Sequence, residues 1–281
     1  MVRPGPSWLG TLLYPTAIVA LFLALQVVAR GLGVAMDDWP LFAAPWALLA
    51  LLLSLPRRLR LVWQEPRPWR RLGVVAAPRQ ALEALLGGWA KALCLLIPMA
   101  LVLLWIGMAR WDPDLTLAEL SNALALGLGV GFAEELLFRG WLWGELALHL
   151  GRARSSLLQA MIFSLVHARM DLGLLGLAGL LGGLFLLGLV LALQRRADSG
   201  LLWGAVGLHG GLVGGWFSLQ QGGLLLEPRS PLWLVGPGGA TPNPVGGLLG
   251  WFGLAMLLLA LLRGLRQQAV QGITDNARMC P

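Results

Sequence analysis

The chain has 281 residues, 57% hydrophobic and 12% charged, and its apolar residues fall in long blocks with no helix or strand alternation. That profile points to a polytopic membrane protein, an all-α bundle of transmembrane helices. The net charge of +7 does not call for nucleic acid, because the basic residues sort by side, as the loops of a membrane protein do.

A helix needs about 20 apolar residues to cross ~30 Å of hydrocarbon. Eight runs approach that length: residues 8–29, 41–55, 84–109, 121–146, 156–170, 173–193, 201–220 and 245–262, the second and fifth being short. The first is too long for the apolar region of a signal peptide and lacks a small-residue cleavage site, so it reads as a retained span. Residues 56–80, PRRLRLVWQEPRPWRRLGVVAAPRQ, form the longest basic stretch, a loop suited to anionic lipid in which four prolines block a continuous helix. Glycines cluster in GLGVG at 127–131 and at 173, 176, 179, 182 and 183, as in closely packed membrane helices. The Pro/Gly-rich stretch 236–247 reads as an outer loop. With no heptads and no long repeat, residues 1–281 form a single integral membrane domain.

With the N-terminus inside, the inner segments carry fifteen arginines: Arg3, Arg57, Arg58, Arg60, Arg67, Arg70, Arg71, Arg79, Arg152, Arg154, Arg195, Arg196, Arg263, Arg266 and Arg278. The outer segments carry only Arg30, Arg110, Arg169 and Arg229 beside Asp37, Asp38, Asp112, Asp114, Glu119, Asp171 and Glu227, so both termini are expected to face the cytoplasm. Cys94, in an apolar span, and Cys280, next to the end, form no metal-ligand spacing and no disulfide framework. A prenylation acceptor stands fourth from the end, whereas Cys280 is second, so the chain is not itself a prenylated substrate.

The fourth run contains GFAEELLFRGWLW, residues 131–143. Each charge at mid-membrane depth costs at least ~2.5 kcal/mol, so Glu134, Glu135 and Arg139 are expected to face the bundle interior. Glu135 and Arg139 are four apart in the favourable order for an intrahelical ion pair. Glu134, rotated by ~100°, is poorly placed to share that arginine and is a general-base candidate. His167, near the end of the fifth run, lies ~16 Å from the inner end of its span, His209 in the seventh ~12 Å, and Glu134 ~18 Å. One carboxylate and two imidazoles in one layer suit a buried hydrolytic or metal site, although membrane histidines also serve as plain interhelical hydrogen-bond donors. His149 ends a helix near the inner surface and reads as a helix-end cation.

These residues resemble the CAAX protease and bacteriocin-processing family, which includes the type II CAAX prenyl endopeptidases. The resemblance rests on E-E-x-x-x-R (Glu134, Glu135, Arg139), on F-x-x-x-H (Phe163, His167) and on a late histidine, His209; it covers about residues 120–220. GLHGGLVGGW and TPNPVGGLLG further resemble cyanobacterial and plastid members. The resemblance implies eight transmembrane helices and an intramembrane endopeptidase in which Glu134 and His167 activate a water and His209 stabilises the oxyanion. Glu135, Arg139 and Phe163 would support the site. Many members have asparagine four residues after the last histidine, where this chain has Val213; Ser218 and Gln220 are candidate replacements. No H-E-x-x-H is present, and a metal-free glutamate mechanism is favoured over zinc held by Glu134, His167 and His209.

The expected partners are a membrane-anchored protein or peptide substrate and the lipid bilayer. Twenty arginines against one lysine suggest a GC-rich bacterium, hence a bacterial inner membrane, or a thylakoid if the source is cyanobacterial. The alternatives are a catalytically silent scaffold or immunity factor, favoured by Val213, and a proton-coupled transporter, which the lack of repeated halves disfavours.

Overall fold

The structure, a computed structural model, describes residues 5–239 and 242–279, leaving aside the side chains of residue 37 and of residues 272–279. Arg3 and Cys280, and the side chains of Asp37 and Arg278, therefore lie outside the described residues. The long helices are α1 (Trp8–Gly31), α2 (Trp39–Val62), α4 (Pro78–Trp105), α5 (Leu117–Glu135), α7 (Arg152–Leu165), α8 (Gly173–Ala197), α9 (Trp203–Gln221) and α11 (Leu248–Met279). One-turn α3 (Pro68–Arg71) and α10 (Leu232–Val235) lie in loops, and α6 (Trp143–Leu150) continues α5 through a π-helical segment, Leu136–Leu142.

An all-α membrane bundle is what these elements make. Among the described residues six helical runs are long and apolar enough to cross a bilayer: Trp8–Gly31, Trp39–Val62, Pro78–Trp105, Leu117–Leu150, Met170–Ala197 and Leu248–Gln271. The other two of the eight expected spans are helical but of a different kind. The 14 residues of α7 reach only ~21 Å, and α9 is diluted by six glycines in its 19 residues. α9 lies between the longer α4 and α5, whereas α7 packs on α8 by one face and leaves Leu157, Met161 and Leu165 exposed on the other.

The glycines explain why α9 can be enclosed. A Cβ on Gly127 or Gly131 of α5 would stand 2.4 Å from the Gly210 carbonyl oxygen or 2.9 Å from the Gly210 nitrogen, and one on Gly214 would meet the Ala123 carbonyl at 2.4 Å. On the opposite side, Gly207 lies against the Leu85 carbonyl and Gly211 against Ala92 and Trp89 of α4. Small residues four apart thus let α9 run backbone to backbone between α4 and α5, the packing that replaces hydrophobic collapse in lipid. Two short strands, β1 (Ala109–Trp111) and β2 (Leu224–Leu226), pair antiparallel with Ala109 opposite Leu226. This brings the loops after α4 and α9 to the same end of the bundle, so the two helices run parallel.

Two loop expectations need correction. The prolines of 56–80 do not end the second helix at residue 55: α2 runs through Pro45 and Pro56 to Val62. Membrane helices tolerate the missing N–H where neighbours take up the freed groups, and Pro56 is buried in such packing. The outer loop expected at 236–247 is turned inward at Pro242 and residues 244–247, which are buried. The Trp216 indole donates to the Pro242 carbonyl at 2.8 Å, Trp251 donates to the Gly179 carbonyl at 3.1 Å, and the Val245 carbonyl packs on Gly183, ten residues into α8. The loop therefore dips ~15 Å into the bundle, which irregular backbone can do where protein covers it. At the other end, the Leu202 N–H donates to the Gly73 carbonyl at 2.9 Å and the Trp203 indole to the Val74 carbonyl at 2.8 Å. Gly73, at φ +82° and pressed on Gly200, admits no side chain.

Gly127→Ala or Gly210→Ala should lower stability in micelles by about 1–3 kcal/mol, because the added methyl meets backbone. Gly129→Ala, with open space around it, should leave stability unchanged or raise it by ~0.5–1 kcal/mol. Denaturant unfolding of the three variants checks this.

Candidate active site

Glu134 and Glu135 end α5 where it passes into the π-helical segment. A π turn widens the helix and loosens its regular bonding, and such turns recur at functional sites. Glu135 and Arg139 are both fully buried, and Arg139 Nη1 donates to Glu135 Oε1 at 2.7 Å, the expected ion pair. The same carboxylate oxygen stands 2.9 Å from Nδ1 of His209. A carboxylate oxygen accepts, so Nδ1 of His209 carries the hydrogen and Nε2 faces the other way.

Nε2 of His209 faces Glu134, 3.8 Å from Oε2. Nε2 of His167 faces the same oxygen at 3.4 Å. Oε2 itself makes no protein hydrogen bond among the described residues. The fold thus brings Glu134, His167 and His209 to one point, and one imidazole bridges the neighbouring carboxylates, a ring nitrogen to each. The side chains of Glu134 and His167 remain 28% and 33% exposed and that of His209 6%, while Oε2 of Glu134 itself is shielded from solvent.

His167 is not inside the fifth span, as expected, but in the turn just after α7 ends at Leu165. Its backbone N–H bonds to the Ser164 carbonyl at 3.2 Å, which frees the Phe163 carbonyl for its own Nδ1 at 2.7 Å. The side chain thus satisfies a carbonyl that the helix end would orphan. Because a carbonyl only accepts, Nδ1 holds the hydrogen and Nε2 is turned toward Glu134. α7 is anchored on α8 by Ser164 donating to the Leu181 carbonyl at 2.7 Å and Gln159 to the Gly188 carbonyl at 3.0 Å. Phe163 is fully buried among all the parts: its ring centre is 4.8 Å from that of His167, 5.8 Å from His209 and 5.1 Å from Phe138, and 4.1 Å from the Arg139 guanidinium carbon. The last contact supplies a cation–π partner for the buried arginine.

Val213, half-buried, stands one turn beyond His209 on the same face and has no polar group to offer. Ser218 and Gln220 do not replace it. They lie nine and eleven residues along α9 from His209, about 13.5 and 16.5 Å on the helix axis. Among the described residues no group of three or more His, Cys, Asp or Glu side chains could hold a metal ion, so no step is routed through zinc.

Two supports escaped the sequence reading. Arg195, taken there as a loop charge, is buried and donates to the carbonyls of Arg139, Arg71 and Gly200. It clamps the π-helical segment to the loops beside it. Arg58, likewise taken as a loop charge, lies within α2 and pairs with fully buried Glu145, which also accepts from Thr11, Trp63 and Trp141. This knot ties α1 and α2 to α6. His149, at the end of α6, stacks on Trp8 at 4.2 Å and contacts Thr11. The charged partner of Glu145 and two of the carbonyls that Arg195 reaches lie more than fifty residues away, so local spacing gives little sign of either cluster.

Arg139→Met should destabilise the protein by about 3–5 kcal/mol, because it strands the Glu135 carboxylate in an apolar interior. Glu135→Gln combined with Arg139→Met should recover much of that loss. Unfolding in micelles, as a double-mutant cycle, measures both.

Residues 116–214, from the start of α5 into α9, match a protein family described as "Type II CAAX prenyl endopeptidase Rce1-like". The matched stretch holds Glu134, His167 and His209, so the match supports the resemblance read from the motifs. No curated protein matches the chain.

Proposed function

We propose that this protein is an intramembrane endopeptidase that hydrolyses peptide bonds of membrane-anchored proteins or peptides by a metal-free glutamate mechanism. The observation that carries this is the convergence of His167 Nε2 and His209 Nε2 on Glu134 Oε2, at 3.4 and 3.8 Å. The family match over residues 116–214 agrees with peptide hydrolysis.

In this mechanism a water held between Glu134 and His167 attacks the substrate carbonyl carbon. Glu134 takes the water proton as a general base, and the proton passes to the leaving amine as the C–N bond breaks. The oxyanion forms beside His209, which in its doubly protonated form donates to it from Nε2 while Glu135, accepting from Nδ1, stabilises the imidazolium. Both imidazoles are fixed through Nδ1, to Phe163 and to Glu135, so their reactive nitrogens need little reorganisation. The arginine-rich loops lie at the end opposite the paired β1 and β2 loops, in keeping with both termini in the cytoplasm of a bacterial inner membrane.

A second reading, a catalytically silent membrane scaffold, is favoured by Val213, which leaves the oxyanion position one polar side chain poorer than in many family members. The two readings divide on Glu134→Gln. As an endopeptidase, the protein in liposomes should cleave membrane-anchored peptides, and Glu134→Gln or His167→Ala should slow it ~10²- to 10⁴-fold. His209→Ala should cost ~10²- to 10³-fold, and Val213→Asn should raise kcat by about 10-fold or more. Cleavage, followed by mass spectrometry of the products, should be indifferent to a chelator. Equal cleavage by wild type and Glu134→Gln would remove the proposed role, loss with chelator would replace the metal-free mechanism, and no cleavage by any form would favour the scaffold.

A further inference from the structure

Between the end of α2 and the start of α4, the arginine-rich end of the bundle holds a cavity of about 520 Å³ lined by Arg60, Arg67 and Arg70 together with Pro66, Trp69 and Val75. Neither the ion-pair networks nor the hydrolytic site uses it. The Arg60, Arg67 and Arg70 side chains form no hydrogen bond or ion pair among the described residues; nearby Glu65 accepts instead from the Arg67 backbone N–H at 3.0 Å. By contrast, Arg79 is paired with Glu83 at 2.7 Å. Three arginines that line one open concavity and make no side-chain hydrogen bond or ion pair among the described residues suit a doubly accepting anion such as phosphate.

The loop that carries them is built to hold its shape. Leu202 and Trp203 bond to the Gly73 and Val74 carbonyls, Arg195 bonds to the Arg71 carbonyl, and Gly73 is pressed against Gly200. The backbone under the cavity is therefore pinned to the α8–α9 connection, and binding would order only side chains. The cavity also has an apolar side, made by Trp69, Val75 and Pro66, and it opens where two membrane helices leave the hydrocarbon. Tryptophan and arginine together at that level suit the boundary between headgroup and acyl chain.

We infer that this cavity binds the phosphate of an anionic phospholipid headgroup, with Arg60, Arg67 and Arg70 on the phosphate and Trp69 against the glycerol and upper chain. The apolar wall and the position at the membrane boundary favour a lipid over an acidic peptide or a free phosphate ion.

The test reconstitutes the full chain in vesicles of equimolar phosphatidylglycerol and phosphatidylcholine, exchanges it into detergent and measures retained lipid by mass spectrometry. Wild type should retain phosphatidylglycerol in preference to phosphatidylcholine. The triple variant Arg60→Gln, Arg67→Gln, Arg70→Gln should lose that retention about 10-fold or more. The control Arg152→Gln, Arg154→Gln, which removes two exposed arginines elsewhere on the same end, should keep it. Equal loss in both variants, or no preference in wild type, would overturn the site in favour of diffuse surface charge. Two competition arms separate the occupants. Inorganic phosphate bound by the delipidated protein as tightly as phosphatidylglycerol, or a polyglutamate peptide displacing the lipid, would overturn the lipid assignment.

Discussion

Glu135 is a carboxylate with no exposed surface inside a membrane protein, and the centre of the molecule is arranged around giving it partners. A buried ion is tolerated only where opposite charge and hydrogen bonds replace the water it has lost. Arg139 supplies the charge and His209 a second donor, both on the same oxygen. The arginine in turn lies over the Phe163 ring, so an ion pair within one helix is locked to two other helices, α7 and α9. Two groups proposed to act in the reaction inherit their orientation from this pair: Glu134 is its immediate neighbour, and His209 its third member.

Such an arrangement needs α9 close to α5, and glycine makes that possible. The Gly127, Gly131, Gly210 and Gly214 contacts bring the two backbones to distances that any side chain would forbid. The same helix turns Gly207 and Gly211 to α4, so His209 stands on a rod held from two sides. A longer, more apolar helix would span lipid better but would stand too far off for an imidazole to reach Glu135. The low hydropathy of α9 is a consequence of carrying the site in the interior, screened by longer helices.

The widened turn after Glu135 introduces backbone groups that need partners, and Arg195 answers one of them by donating to the Arg139 carbonyl. Because Arg195 also grips Arg71 and Gly200, the segment that follows the carboxylates is coupled to the loop that bears the arginine cavity. The bundle is thereby stiff at its arginine-rich end. Toward the opposite end, Trp216 of α9 holds the loop before α11 through the Pro242 carbonyl, and Trp251 ties α11 to α8.

By itself the sequence determined the membrane bundle, the Glu135–Arg139 pair and the identity of the three converging residues. Long apolar runs admit no other fold in lipid, and a four-residue spacing closes an ion pair without tertiary help. It placed His167 only to within a turn and several span ends less closely, the second helix running to Val62 where 55 was expected, since helix ends depend on which carbonyls find other partners. Pro56 was misleading because packed neighbours, invisible in a local reading, tolerate the bond it removes. What only the tertiary structure decided is everything that joins residues far apart in the chain: His209 on Glu135, Arg195 on the Arg139 carbonyl, Arg58 on Glu145, and the inward fold of 236–247. Those contacts depend on how closely helices approach, a distance set by glycine packing in three dimensions and by no periodicity along one.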